Sequence, residues 1–161
     1  MSQENVERRR LVRLHRNLEG KRILFIESYP LYKSVQNDFT FQRIELRWKY
    51  ELPKSDDLGR PIRLIDYMNQ EFFDGLIIHP GIQQSWVQAI DEVYQGKMPI
   101  VVILGEYVGE SWDVYQKWKN LDIPLVQKLN GATVLNSNEL LEALDKQFAA
   151  KLAAKGGALR R

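Results

Sequence analysis

The chain has 161 residues, 44% of them hydrophobic and 11% aromatic, enough to bury the core of one domain and too many for a disordered segment. It carries 23 Lys and Arg against 21 Asp and Glu and no Cys, which excludes a uniformly cationic nucleic-acid coat, a disulfide frame, a thiol nucleophile and a cysteine-ligated zinc. The longest unbroken apolar run, Ile100 to Leu104, falls far short of the roughly 20 residues of a membrane span, and the charged start lacks a signal-peptide core, so a soluble, cytoplasmic protein is expected.

The charge is unevenly laid out. Residues 1–22 hold seven basic and three acidic residues and residues 146–161 hold five basic and none acidic, leaving 11 basic against 18 acidic between them. Residues 4–19 read as a helix with Val6, Leu11, Leu14 and Leu18 near one side and Arg8, Arg9, Arg13 and Arg16 elsewhere, stopped by Gly20. Three uses for it stay open: a dimer or partner seam along the leucine stripe, a basic surface for nucleic acid or anionic lipid, or a helix lying on its own domain. The domain itself is expected over 21–152, with a basic tail over 153–161.

Ile23 to Ile26 is too short for a helix and suits a buried strand, and Leu31 to Phe39 follows as a short helix. From Arg43 to Leu52 the pattern alternates, with Ile44, Leu46, Trp48, Tyr50 and Leu52 on one face and Glu45, Arg47, Lys49 and Glu51 on the other. Those outer charges, with Pro53 after them, point to a sheet edge guarded against further pairing. Pro53 to Pro61 holds the strongest turn signals and reads as an exposed loop, and Ile62 to Phe72 as a helix. Three more apolar strands, Leu76–Ile78, Ile100–Leu104 and Ile123–Val126, are separated by helical segments at 83–94 and 111–121. A last helix starts near Asn136-Ser137-Asn138, buries Leu141, Leu144, Phe148 and Leu152, and is expected to stop at Gly156-Gly157.

Strict alternation of five strands and five helices implies right-handed crossovers and an α/β, flavodoxin-like doubly wound parallel sheet in the order 2-1-3-4-5, with the extra helix in front. Sites in such sheets lie at the carboxyl ends of the strands. Those ends carry Glu27-Ser28, His79-Pro80-Gly81, Leu104-Gly105-Glu106 and Gln127-Lys128.

Three pieces, Lys21-Arg-Ile-Leu-Phe-Ile-Glu-Ser-Tyr-Pro30, Phe73-Asp-Gly-Leu-Ile-Ile-His79, and Pro99-Ile-Val-Val-Ile-Leu-Gly105 followed by Leu125-Val-Gln-Lys128, resemble in register the receiver domain of bacterial response regulators over roughly residues 21–150. The resemblance implies magnesium-assisted phosphoryl transfer to an aspartate closing the third strand. An acidic pair after the first strand would hold the metal, and a hydroxyl and a lysine would engage the phosphoryl oxygens. This chain departs from that set. It places Glu27 and Ser28 at the acidic pair, His79 at the phosphoacceptor, Leu104 beside Gly105 at the hydroxyl, and Lys128 at the lysine. Leu129 and Leu125 stand where the family has a proline and a reporter aromatic.

Magnesium needs near-octahedral oxygen ligation, so losing two carboxylates removes its cage, and Leu104 donates nothing to a phosphoryl oxygen. Aspartyl phosphorylation is therefore not expected, nor a cofactor or catalysis. His79 as a phosphoryl acceptor lacks cationic support beyond Lys128, and a zinc site of His79 and Glu27 lacks ligands, the only other histidine being His15. A neutral histidine beside a Glu27–Lys128 ion pair is the plainer reading. The glycine-containing turns after the third and fourth strands match no phosphate-binding fingerprint, although the altered pocket as a nucleotide or small-anion sensor stays open. What remains is surface. Trp112 and Tyr115 on the fourth helix, beside the buried positions Val114, Trp118 and Leu121, form a candidate partner surface with Tyr107 of the preceding loop. The sequence thus reads as a phosphorylation-independent signalling or scaffold module acting through protein contacts, with homodimerisation through the leading helix open and nucleic acid disfavoured.

Overall fold

The structure, a computed structural model, describes residues 14–50, 58–79, 85–104, 112–128 and 134–159, with side chains except at 85–87, 112–115 and 152–159. Its elements alternate: β1 (Arg22–Ile26), α1 (Tyr29–Phe41), β2 (Glu45–Lys49), α2 (Leu64–Gln70), β3 (Gly75–Ile78), α3 (Ser85–Gln95), β4 (Ile100–Leu104), α4 (Trp112–Asn120), β5 (Leu125–Gln127) and α5 (Ser137–Leu159). The five strands form one parallel sheet in the order β2-β1-β3-β4-β5, the flavodoxin-like topology expected from the alternation.

Strand composition follows position in that order. β1, β3 and β4 lie inside the sheet and are apolar at almost every residue, because helices cover both of their faces. On one face Ile23, Phe25, Ile77, Val101, Ile103 and Val126 meet Leu31, Val35 and Phe39 of α1 and Leu140, Leu141, Leu144 and Phe148 of α5. On the other, Leu24, Ile26, Leu76, Ile78, Ile100 and Val102 meet Leu64 and Met68 of α2, Ile90 and Val93 of α3 and Trp118 of α4. Gly75 at the start of β3 lets α5 approach. A Cβ there would stand 3.0 Å from Ile23 Cδ1 and 3.3 Å from Phe148 Cζ.

Four helices end the same way. The N–H groups of Ile44, Phe73, Met98 and Ile123 donate to the carbonyls of Phe39, Met68, Val93 and Trp118, five residues back. The preceding residues, Arg43, Phe72, Lys97 and Asp122, sit in the left-handed region at φ 59–60° and donate three residues back. These paired bonds, with an apolar residue at each end, are Schellman motifs, and none of the four uses glycine at its left-handed position. At the other end of α5, Asn136 Oδ1 accepts the Glu139 N–H at 3.1 Å, which selects Asn136 among the three candidate caps.

Three expectations are corrected. The leading helix does not run to residue 19: His15 is extended and only Arg16–Leu18 forms a single 3-10 turn. Leu14 is 64% exposed whereas Leu18 is fully buried, so these two do not share a seam; Val6 and Leu11 lie outside the described residues. The turn is instead fastened to the domain. Gln42 Oε1 accepts the His15 N–H at 2.9 Å, Asn17 Nδ2 donates to Asp145 Oδ1 at 3.2 Å, and the buried His15 ring places Nδ1 3.5 Å from Asp145 Oδ2. Second, α5 continues through Gly156-Gly157 to Leu159. Third, β5 begins at Leu125, because Ile123 is used to close the end of α4.

Candidate functional site

Parallel strands deliver their carboxyl ends to one side of the sheet, and there three charged or titratable side chains converge. Glu27 follows β1 directly and is 7% exposed. His79 follows β3, its N–H donating to Ile26 O at 3.1 Å, and Lys128 follows β5, its N–H donating to Leu104 O at 3.0 Å. Both bonds extend the sheet ladders by one step, so the backbone register fixes where the two side chains start. Lys128 Nζ lies 3.0 Å from Glu27 Oε2, with both side chains over nine-tenths buried. The approach is off the direction of a well-formed hydrogen bond, so Oε2 is compensated by charge rather than by an aligned donor. Oε1 accepts the Ser28 N–H at 2.8 Å.

The His79 ring is held by the main chain. Its Nδ1 is 2.9 Å from Ile103 O, and since a carbonyl only accepts, Nδ1 carries a proton and donates it to that oxygen. The same Nδ1 stands 3.9 Å from Glu27 Oε2. The carboxylate and the ammonium offset each other's charge, which limits the desolvation penalty of burying them.

That arrangement does not fit the receiver family's magnesium. One Glu27 oxygen is occupied by a backbone amide and the other by an ammonium, and the ring beside them is oriented by a carbonyl. Among the described residues, no group of three or more His, Asp or Glu side chains is arranged to hold a metal ion.

Of the other residues singled out in the sequence, Ser28 is half-buried at the start of α1, where its side chain makes no capping bond, and Leu104 packs partly buried against the α2–α4 face. Pro80, Gly81, Gly105 and Tyr107 lie outside the described residues, as do the side chains of Trp112, Val114 and Tyr115 on α4; Trp118 is fully buried.

Sequence reasoning missed an aromatic group at the rim of this site. The Tyr29 and Trp48 rings meet edge to face at 5.1 Å, with Tyr32 6.0 Å from Tyr29 and 6.3 Å from Trp48. Trp48 Nε1 donates to Glu27 O at 2.8 Å, tying the edge strand to the carboxylate's own backbone. Tyr29 and Trp48 remain 49% and 36% exposed. The available signal was Trp48 on the alternating strand, whose period puts it on the same face as Ile44 and Leu46.

No family model matches this chain, and no curated protein matches it.

Proposed function

We propose that this protein is a pseudo-receiver: a flavodoxin-like signalling or scaffold module that acts through protein contacts and does not depend on phosphorylation. The observation that carries the reading is the Glu27–Lys128 ion pair, 3.0 Å long and buried, with His79 beside it at the position where the resembling family carries its phosphoacceptor. In a working receiver the lysine must be free to meet a phosphoryl oxygen and the carboxylates to meet a metal. Here the lysine and the only carboxylate that the described residues bring to the site are spent on each other, and the ring that replaces the acceptor cannot form an acyl phosphate.

The same commitment of Lys128 weighs against an anion sensor in this pocket, because an incoming anion would have to displace a buried carboxylate from its counter-charge. The test is incubation with acetyl phosphate and magnesium followed by intact-mass measurement at neutral pH. An unchanged mass is expected. A gain of one phosphoryl group would overturn the reading.

A further inference from the structure

The charges along β2, expected from the sequence to guard the sheet edge against pairing, are self-complementary toward a second copy of the same strand, and this feature is independent of the pocket. Among the described residues β2 has one neighbour in the sheet, β1. Glu45 N–H donates to Lys21 O at 2.9 Å, so the amide groups of odd-numbered residues on this strand face β1, and those of Leu46 and Trp48 face outward. Ile44 is the exception among the even positions, its N–H being committed to Phe39 O at 3.1 Å.

Consider a second copy of this segment laid antiparallel along that edge. Outward-facing amides restrict the two-fold axis to an even-numbered residue or to the odd residue between two of them. Centred on Leu46, Leu46 meets Leu46, Glu45 meets Arg47 on both sides of the axis, and Ile44 meets Trp48. Four backbone bonds then form across the junction, two between the Leu46 residues and one from each Trp48 N–H to the opposite Ile44 carbonyl. Shifting the centre to residue 47 sets Arg47 against Arg47 in a closely spaced pair while Glu45 faces Lys49 on both sides, and shifting it to residue 48 sets Arg47 against Lys49. Among these three registers, the one centred on Leu46 pairs opposite charges and sets no like charges against each other within residues 44–48.

The apolar side is matched as well. Ile44 and Leu46 belong to the α1–α5 face of the sheet and Trp48 stacks on Tyr29 and Tyr32 of α1, so all three lie on the same face and would continue it across the junction. Arg47 reaches Glu45 of its own strand at 2.7 Å and Glu45 also stands 3.4 Å from Arg22 of β1, so the Glu45 and Arg47 side chains share one face of β2, and both stay about half exposed to the charges a second copy would bring.

We infer that the outer edge of β2 is an interface between two copies of this chain, pairing antiparallel about Leu46 to give one continuous ten-stranded sheet from two five-stranded ones. The full chain should sediment as a dimer that dissociates on dilution. Glu45→Lys places a lysine against Arg47 twice, and Arg47→Glu places a glutamate against Glu45 twice. Each variant alone should weaken the dimer roughly tenfold or more. Mixed together, the two variants should form a heterodimer, since the lysine introduced in one chain then faces the glutamate introduced in the other, while the unchanged Arg47 and Glu45 face each other. Circular dichroism and melting of each variant check that it remains folded. A wild-type chain that stays monomeric over the dilution series overturns the inference. So does a Glu45→Lys dimer as tight as wild type, or a mixture that fails to pair. None of these outcomes bears on the acetyl phosphate result.

Discussion

Glu27 and Lys128 are buried together at the carboxyl end of the sheet, 3.0 Å apart, and each is the other's main electrostatic compensation. Removing one member strands the other in a poorly hydrated place, which typically costs about 3–5 kcal/mol, whereas removing both charges with similar volumes is often close to neutral. Lys128→Met is thus expected to lower stability by about that amount in urea titrations, and Glu27→Gln/Lys128→Met to recover most of it. A second titratable residue lies on α5. Partial burial, and then the charge of Lys97, hold the Lys151 ammonium below its ordinary pKa. The folded state binds this proton less tightly than the unfolded chain. The penalty is complete below the lowered pKa and fades as pH rises through the ordinary lysine range. Lys151→Met should raise stability at neutral pH by less than about 0.5 kcal/mol, a gain that disappears above about pH 10.4 in a melting series across pH.

At the level of elements, the strands and the helices between them were legible because each apolar run is too short for a helix and each helix carries a one-sided stripe. Their ends were less legible. Four helices close through a left-handed residue that is not glycine, so the usual sequence marker is missing and only the apolar residue after it, such as Phe73 after Phe72, hints at the motif. Phe72 is the most strained choice, a bulky aromatic side chain at φ 59° that is 80% exposed and so gains little from burial. Phe72→Gly is expected to stabilise the chain by about 0.5–1 kcal/mol, the left-handed strain relieved outweighing the added freedom of the unfolded glycine. In a protein of this size that corresponds to a rise of roughly 1–4 °C in Tm. A fall in Tm would mean that the Phe72 ring holds a contact worth more than the strain. The leading segment was illegible for a different reason. Leu14 and Leu18 have helical spacing, but the amide of His15 is taken by Gln42 and Leu18 is drawn into the α1–α5 face, and neither tie leaves a periodic trace.

For the whole molecule, strand order could be read because a parallel sheet needs helices on both faces and right-handed crossovers leave few arrangements. The same topology made Glu27, His79 and Lys128 legible as a group, since strand ends in one sheet must gather on one side. Their actual partners were not, because the Ile103 carbonyl and the Trp48 indole meet them only through register and side-chain rotation. One consequence of the two-faced architecture concerns cooperativity. Trp118 fills one core and Phe148 the other, with exposures of 0% and 6%, and the residues between them are the shared strands. Trp118→Ala and Phe148→Ala should each cost about 3–5 kcal/mol, from lost burial and the cavity left behind. If the strands couple the two cores, each variant unfolds in a single urea transition with an unchanged slope and a lower midpoint. The double variant, losing about the sum, should approach or exceed the whole stability of an ordinary domain and populate unfolded chain without denaturant. Two separate transitions in either single variant, one at the wild-type midpoint, would instead mean that the helices on one face can melt while those on the other still hold the sheet.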